Sequence, residues 1–394
     1  MTTPKQRLLS LDALRGFTVA AMLLVNDPGD WSHIYGPLDH SEWNGWTFTD
    51  CVFPFFMFMS GMAMTMSLAR RAMAGADKTK LLLTTWRRGL TIIAIGLALN
   101  AIGILYNAVA GLFTAADPVS FATLRIPGVL QRIGLCTMLA APLVIWLSWR
   151  ALVAWLVALL AVYSVIQLCI PVPDVNGVVH VGSLVKSEDV GAWLDRLVLG
   201  HHVWIQAKTW DPEGLLSTLP AVGSLLAGAL AGHWLAAARD PRETAMGFMV
   251  ASLPLWWVAM ILDAWSMPIN KSLWTPAFVL MMAGSASFMF GLFYWLLDAM
   301  PLPLWRERWA RVAHPFVVFG MNALFMFALS GFVGRMLTLI KNGAGVTLKG
   351  MLYAPIQALP IDPINASLIY AVAFVLAMYA VAWAFYKKQW FIKV

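Results

Sequence analysis

The stretch richest in chemistry starts at His40, which is followed by Glu42, Trp43, Asn44 and Gly45 and then by Asp50. An imidazole has an unperturbed pKa of about 6.5, so near neutrality it can take up or release a proton. That suits a general base which accepts a proton as an amine attacks a thioester. Asp50 could orient the ring, or it could cap the helix that follows. Spacing alone does not single out His40. His33, His180, His201, His202, His233 and His314 carry the same group, and a loop histidine is more often a plain surface residue.

Other polar residues stand where an inert anchor would have none. Asn26 closes an apolar run. Its amide could donate to a developing oxyanion, a contact worth about 2.7–4 kcal/mol, or it could simply cap a helix end. Asp12 and Arg15 are three apart on one helical face and can pair with each other, or Arg15 can meet an anionic ligand. Arg87 and Arg88 could hold phosphates without a glycine loop, although a bias of basic residues toward one membrane face also explains them. Arg125 and Arg132, seven apart, are expected on one helical face, where they organise a buried site or pair with acids. Trp204, Trp210, Asp211 and Glu213 combine flat apolar rings with carboxylates, a pairing that suits sugars and equally an interfacial aromatic belt.

Elements that position these groups must live in lipid. Apolar residues make up 60% of the 394 and charged ones only 12%, against roughly 25% charged in soluble domains. A spanning helix needs about 20 mainly apolar residues. The chain supplies ten such stretches: 12–27, 46–69, 89–107, 126–148, 151–170, 216–237, 244–266, 276–298, 312–340 and 364–386. The expected fold is therefore all-α, one polytopic domain over 1–394. Lys5 and Arg7 before the first apolar run imitate a secretory signal, but Asp12 and Arg15 interrupt that run and no small-residue cleavage site follows. It reads as a retained helix.

Most of the 27 Lys and Arg, Lys5, Arg7 and Lys393 among them, fall in one alternate set of connections. The positive-inside rule makes that set cytoplasmic, with both termini inside. The outer connections 28–45, 171–215 and 341–363 are the elaborate ones, and long loops in a compact protein tend to carry function. The net charge of +7 is scattered in short clusters between apolar runs and forms no basic stripe for nucleic acid. Cys51, Cys136 and Cys169 lack metal-ligand spacing and read as packing residues. No metal is expected.

From Leu11 to Gly61 the sequence LDALRGFTVAAMLLVNDPGDWSHIYGPLDHSEWNGWTFTDCVFPFFMFMSG resembles the transmembrane acetyltransferases related to heparan-α-glucosaminide N-acetyltransferase and their bacterial relatives, described as N-acetylglucosamine-associated membrane proteins. Arg125-Ile-Pro-Gly-Val-Leu-Gln-Arg132, Asp211-Pro-Glu-Gly-Leu-Leu-Ser217, Asn270-Lys-Ser-Leu-Trp274 and Gly320-Met-Asn322 are similar to family segments in the same order, so the likeness runs nearly the whole chain. It implies that His40, before Trp-Asn-Gly, is catalytic with Asn26 implicated beside it; Asp50 is the candidate carboxylate partner on its chemistry, with the cap as its alternative. The likeness further implies acetyl-CoA as cosubstrate, whose phosphates the basic inner mouth would hold near Arg15, Arg87 and Arg88. The acceptor, an amino sugar such as glucosamine or a terminal glucosaminide, would meet Trp43, Asn44, Trp210, Glu213, Asn270 and Lys271. A homodimer in a bacterial inner membrane, with the active site reached from the periplasm, is also implied. The chain departs at Asp27-Pro28-Gly29, where the lysosomal enzyme is richer in glycine, and in a longer loop from Asn26 to His40.

A permease for N-acetylglucosamine or related sugars is the competing reading. Transporters often show paired halves, and no pairing between the first and last five helices is visible here. Neither a Walker pattern nor a dinucleotide fingerprint is present, which argues against an ATP-driven pump or a nicotinamide enzyme.

Overall fold

The computed structural model describes residues 8–110, 120–237 and 239–392. Lys5, Arg7 and Lys393, counted above among the inner bases, lie outside them. The described chain runs through helices α1 (Leu9–Asn26), α2 (Phe48–Met64), α3 (Arg70–Met73), α4 (Lys78–Val109), α5 (Val129–Trp146), α6 (Trp149–Cys169) and α7 (Val190–Val198). It continues through α8 (Thr218–Leu235), α9 (Pro241–Trp265), α10 (Pro276–Tyr294), α11 (Pro303–Met321), α12 (Ala323–Leu339), α13 (Leu348–Gln357) and α14 (Pro363–Lys387). A wide turn, Thr65–Ala69, joins α2 to α3 without breaking the rod. Among the described residues nine helices are long and apolar enough to cross a membrane, or ten if the bent pair α11–α12 counts as one span. This is an all-α polytopic membrane protein.

Local chemistry sets the starts of these helices. The side chains of Asp77, Ser148, Asp189, Asp240, Thr275 and Asp362 each accept a first-turn N–H. Pro241, Pro276 and Pro363 follow three of them at the position where a missing N–H costs nothing. In a bilayer, helices associate through close packing more than through expulsion of water. At the α1–α11 crossing Gly16 and Gly320 face backbone so closely that neither leaves room for a β-carbon, and Gly61 and Gly228 do the same where α2 meets α8. Buried hydroxyls add ties between helices, with Thr65 donating to the Ala229 carbonyl at 2.8 Å and Ser287 to that of Phe248 at 2.9 Å.

The stretch expected as one helix over 312–340 is instead broken at Asn322, where α11 and α12 bend by 74°. The Asn322 amide explains how the break is tolerated. It donates to the Trp390 carbonyl at 2.9 Å and accepts from the Ile392 N–H at 2.8 Å, pinning the tail after α14 to the bend. The exposed charges Arg306, Glu307, Arg308 and Arg311 fill the first turns of α11, and such residues are expensive in hydrocarbon. Cys51 and Cys136 are buried as packing residues should be, but Cys169 is exposed at the end of α6.

Connections expected on the outer face gather at one end of the bundle. Gly45 N–H donates to the Ile269 carbonyl at 2.7 Å, Trp43 Nε1 to Leu184 at 2.8 Å, Ile126 N–H to His202 at 3.0 Å and Gly29 N–H to Ser367 at 3.2 Å. A small hairpin, β1 (Val172–Pro173) against β2 (Val179–His180), and helix α7 fold the 171–215 connection over this end. The opposite end is closed by Asp298, which accepts from the Leu9 and Ser10 N–H groups at the start of α1.

Candidate functional site

Asp50 lies at the third position of α2, where Thr47 and Asp50 form a reciprocal capping box. One carboxylate oxygen, Oδ2, accepts from the backbone of Thr47 at 3.1 Å and of Ser41 at 3.0 Å. The other, Oδ1, meets His40 Nδ1 at 2.7 Å. The two roles that the sequence left open are thus filled by one side chain. Asp50 is buried to 1% exposure whereas the His40 side chain is 48% exposed, so a fixed carboxylate holds a ring whose far side is open. With Nδ1 donating to Asp50, Nε2 is left as a hydrogen-bond acceptor.

Lys271 completes this cluster from the far side of the sequence. Its Nζ stands 3.3 Å from Asp50 Oδ1 and 3.0 Å from His40 Nδ1. The turn that carries it is rigid. Asn270 Oδ1 caps the Leu273 N–H at 2.9 Å, Asn270 Nδ2 donates to Asn44 Oδ1 at 3.2 Å, and Tyr163 donates to the Leu273 carbonyl. Trp274 takes a left-handed backbone (φ 53°) that bulky residues rarely adopt. Its buried ring is held by Arg132, 5.2 Å from the centroid, and by a hydrogen bond from Nε1 to Ser224 at 3.0 Å.

Trp43 packs edge-on against Trp210 with centroids 5.3 Å apart, and Lys186 sits 5.3 Å from the Trp43 ring. Beside them Arg125 grips Asp211 through two nitrogens, at 2.8 and 2.6 Å, and Glu213 at 2.5 Å. Burial works against the Arg125 charge, but the Asp211 and Glu213 carboxylates hold it above its ordinary range. Burial likewise opposes ionisation of Glu213, yet Arg125 and Arg132 keep it below the usual carboxylate range. Glu213 is therefore occupied by an arginine. Arg125 and Arg132 do not share a helical face as expected, because Pro127 and Gly128 precede α5, which starts at Val129. Arg132 instead reaches the same 211–217 segment from within α5, donating to the Gly214 carbonyl at 3.0 Å and to Ser217. Asp195 of α7, which no sequence signal marked, accepts from the Asp211 N–H at 3.1 Å and the Leu215 N–H at 2.9 Å; burial raises its pKa to about 6.

Two cavities lie along one seam of the bundle. The first, of about 400 Å³, is bordered by Arg15 of α1, Arg88 and Ile92 of α4, Ile133 and Thr137 of α5, and Ala323 and Leu324 of α12. The second, of about 330 Å³, is bordered by Asn26, by Gly96 and Asn100 of α4, by Gln131 of α5 and by Phe327 and Arg335 of α12. Helices α1, α4, α5 and α12 contribute to both, with α2 and α11 also lining the first, and on α4 the two are one turn apart, Ile92 to Gly96. Of the arginines expected to serve one anion site, Arg15 and Arg88 share the first cavity; Arg15 also approaches Asp12 at 3.6 Å. Arg87 is exposed and does not line it. Asn26 borders the second cavity and His40 is not among its lining residues.

A sequence profile of the family described as "Heparan-alpha-glucosaminide N-acetyltransferase, catalytic" matches residues 7–269, well over half of the chain. The chain belongs to this family. Proteins named heparan-alpha-glucosaminide N-acetyltransferase from Mus musculus and Homo sapiens are each 26% identical to it, over 369 and 366 residues. Those matches cover 82% of this chain and 53% and 52% of the relatives, so the chain spans about half the length of the curated relatives it matches. The catalytic-family match contains Asn26, His40, Asp50, Arg125, Arg132 and Glu213, while Asn270 and Lys271 follow its last residue.

Proposed function

We propose that the protein transfers an acetyl group from acetyl-CoA, taken from the cytoplasm, to the amine of an amino sugar at the opposite, periplasmic face. The observation that carries this reading is the His40–Asp50 pair: an exposed imidazole oriented by a buried carboxylate, at the loop-rich end of a membrane bundle of the acetyltransferase family. In the reaction His40 Nε2 accepts a proton from the acceptor nitrogen as that nitrogen bonds to the thioester carbonyl carbon. Asn26 Nδ2 donates to the oxyanion that forms. As the C–S bond breaks, the imidazolium returns the proton to the departing sulfur, leaving an amide and free CoA. Asp50 stabilises the imidazolium between these steps, and Lys271 offsets the Asp50 charge in the resting site.

Charge and span support the donor's path. Arg15 and Arg88 give the inner cavity the cationic wall that phosphates require. From Arg15 to Asn26 along α1 is about 16 Å at 1.5 Å per residue, a distance that suits an extended pantetheine arm. The inner cavity would hold the charged end, and the arm would run along the seam to bring the thioester to Asn26 at the edge of the outer cavity. Trp43 and Trp210 supply an apolar platform beside His40, with Asn44, Asn270 and Lys271 at its rim; Glu213 acts by holding Arg125. Two copies per assembly and a bacterial plasma membrane fit this reading. Purified protein incubated with radiolabelled acetyl-CoA and a panel of free amino sugars tests it. Labelled N-acetyl product from glucosamine is expected, and protein that moves N-acetylglucosamine across vesicles without consuming acetyl-CoA would overturn it.

A further inference from the structure

The outer cavity holds polar groups that acetyl transfer leaves unused. Gln131 is about nine-tenths buried in α5, and its side-chain Nε2 has no hydrogen-bond partner among the described residues. Its Oε1 occupies space left by the missing β-carbons of Gly96 and Gly128, so these two glycines leave the room in which the amide borders the cavity. Asp27 borders the same cavity. Among the described residues its carboxylate has no hydrogen bond or ion pair within 4 Å, and Lys349 and Arg335 act on it only from farther away. Gly334 leaves the room that Asp27 Oδ1 takes. Asn100 and Arg335 stand nearby, Arg335 donating to the Gly331 carbonyl at 3.0 Å. A buried donor without a partner is costly, and native proteins keep one where a ligand or water satisfies it.

We propose that this cavity is the specificity subsite for the acceptor ring: Asp27 accepts from its hydroxyls, Gln131 Nε2 donates to a hydroxyl oxygen, and the amine is left pointing out of the subsite for the chemistry at His40. The inference rests on the acetyl-transfer reading and adds to it the residues that choose the acceptor. Adjacent hydroxyls are the group that both a carboxylate acceptor and an amide donor can satisfy at once. The volume of about 330 Å³ falls at the lower end of ligand pockets, where a monosaccharide belongs. A site built to hydrogen-bond hydroxyls rejects an analogue that lacks them, since its own polar groups are then left unpaired.

The test compares intact wild-type protein with Asp27→Asn and Gln131→Leu. Each is measured for acetyl-CoA affinity, for kcat/KM with glucosamine and with cyclohexylamine, an amine without ring hydroxyls, and for direct binding of N-acetylglucosamine by calorimetry. Both variants are expected to keep acetyl-CoA affinity, which also reports that they fold, while glucosamine kcat/KM and N-acetylglucosamine affinity fall about tenfold or more. Cyclohexylamine turnover should stay level, so the preference for the sugar collapses. An unchanged sugar preference would overturn the subsite, and so would a loss of acetyl-CoA affinity, which would give the cavity to the donor. Wild-type protein that acetylates no amine would defeat the acetyl-transfer reading instead, and N-acetylglucosamine binding would still decide the subsite.

Discussion

Two clusters at the loop-rich end both pair acids with bases and differ in what they leave unsatisfied. Around Arg125 a guanidinium is matched to two carboxylates, Asp211 and Glu213, and every partner is at least three-quarters buried. Around Asp50 a buried carboxylate is shared by a half-exposed imidazole and an ammonium, and the second ring nitrogen, Nε2, has only the Lys271 ammonium 3.4 Å away. The first cluster closes a connection onto the bundle. The second keeps a proton acceptor exposed while fixing its orientation. A charged cluster becomes a site when its geometry leaves one group incompletely matched at an accessible face, and the count of charges says little.

The contrast can be broken at either cluster. His40→Ala should lower kcat for acetyl transfer by about 10²- to 10⁴-fold with acetyl-CoA affinity intact in a binding titration; wild-type turnover would make His40 a surface residue. Arg125→Ala strands two buried carboxylates and should cost about 3–5 kcal/mol of stability, read as earlier unfolding in detergent. Acid should weaken the same cluster: because Glu213 is held below the usual carboxylate range, its contribution is present above its unfolded pKa and is lost as pH falls through the folded value. Asp50→Asn keeps the cap but removes the charge that favours the imidazolium, and should slow turnover roughly tenfold or more with little change in unfolding. The smallest effect concerns Asp27, whose pKa burial raises to about 6 against the charges of Lys349 and Arg335, with the Tyr370 hydroxyl also facing it. Binding of N-acetylglucosamine should weaken as pH falls through about 6 and the carboxylate is protonated, and Asp27→Asn should flatten that dependence.

Much of the bundle was legible because spanning helices must satisfy their own backbone and expose apolar surface, so hydropathy and caps mark them directly. The 126–148 stretch begins late, at Val129, because Pro127-Gly128 is a local signal that apolar periodicity overrides when read from a distance. The bend at Asn322 was hidden for a different reason. Its break is tolerated through the tail at Trp390 and Ile392, a contact no window of sequence contains. His40 was nameable from the motif and Asp50 as its orienting carboxylate or a helix cap, but their 2.7 Å contact depends on how the intervening loop folds. Lys271 was expected only among the acceptor contacts, and its place beside both depends on the turn at 270–275. Asp27 was marked only as a departure from the family and Gln131 only as part of a matched segment; that they and Arg335 border one cavity could not be read, since a cavity is made by the spacing of helices.

In the proposed reaction, donor and acceptor occupy opposite faces of one membrane-embedded site. Proteoliposomes with inserted protein of known orientation, loaded with acetyl-CoA on the side of Arg15 and Arg88 and given glucosamine only on the side of His40, test it directly. N-acetylglucosamine is expected on the His40 side while free CoA stays with the donor, and no product is expected when the two substrates are exchanged. Product formed only when both substrates share one face would contradict it.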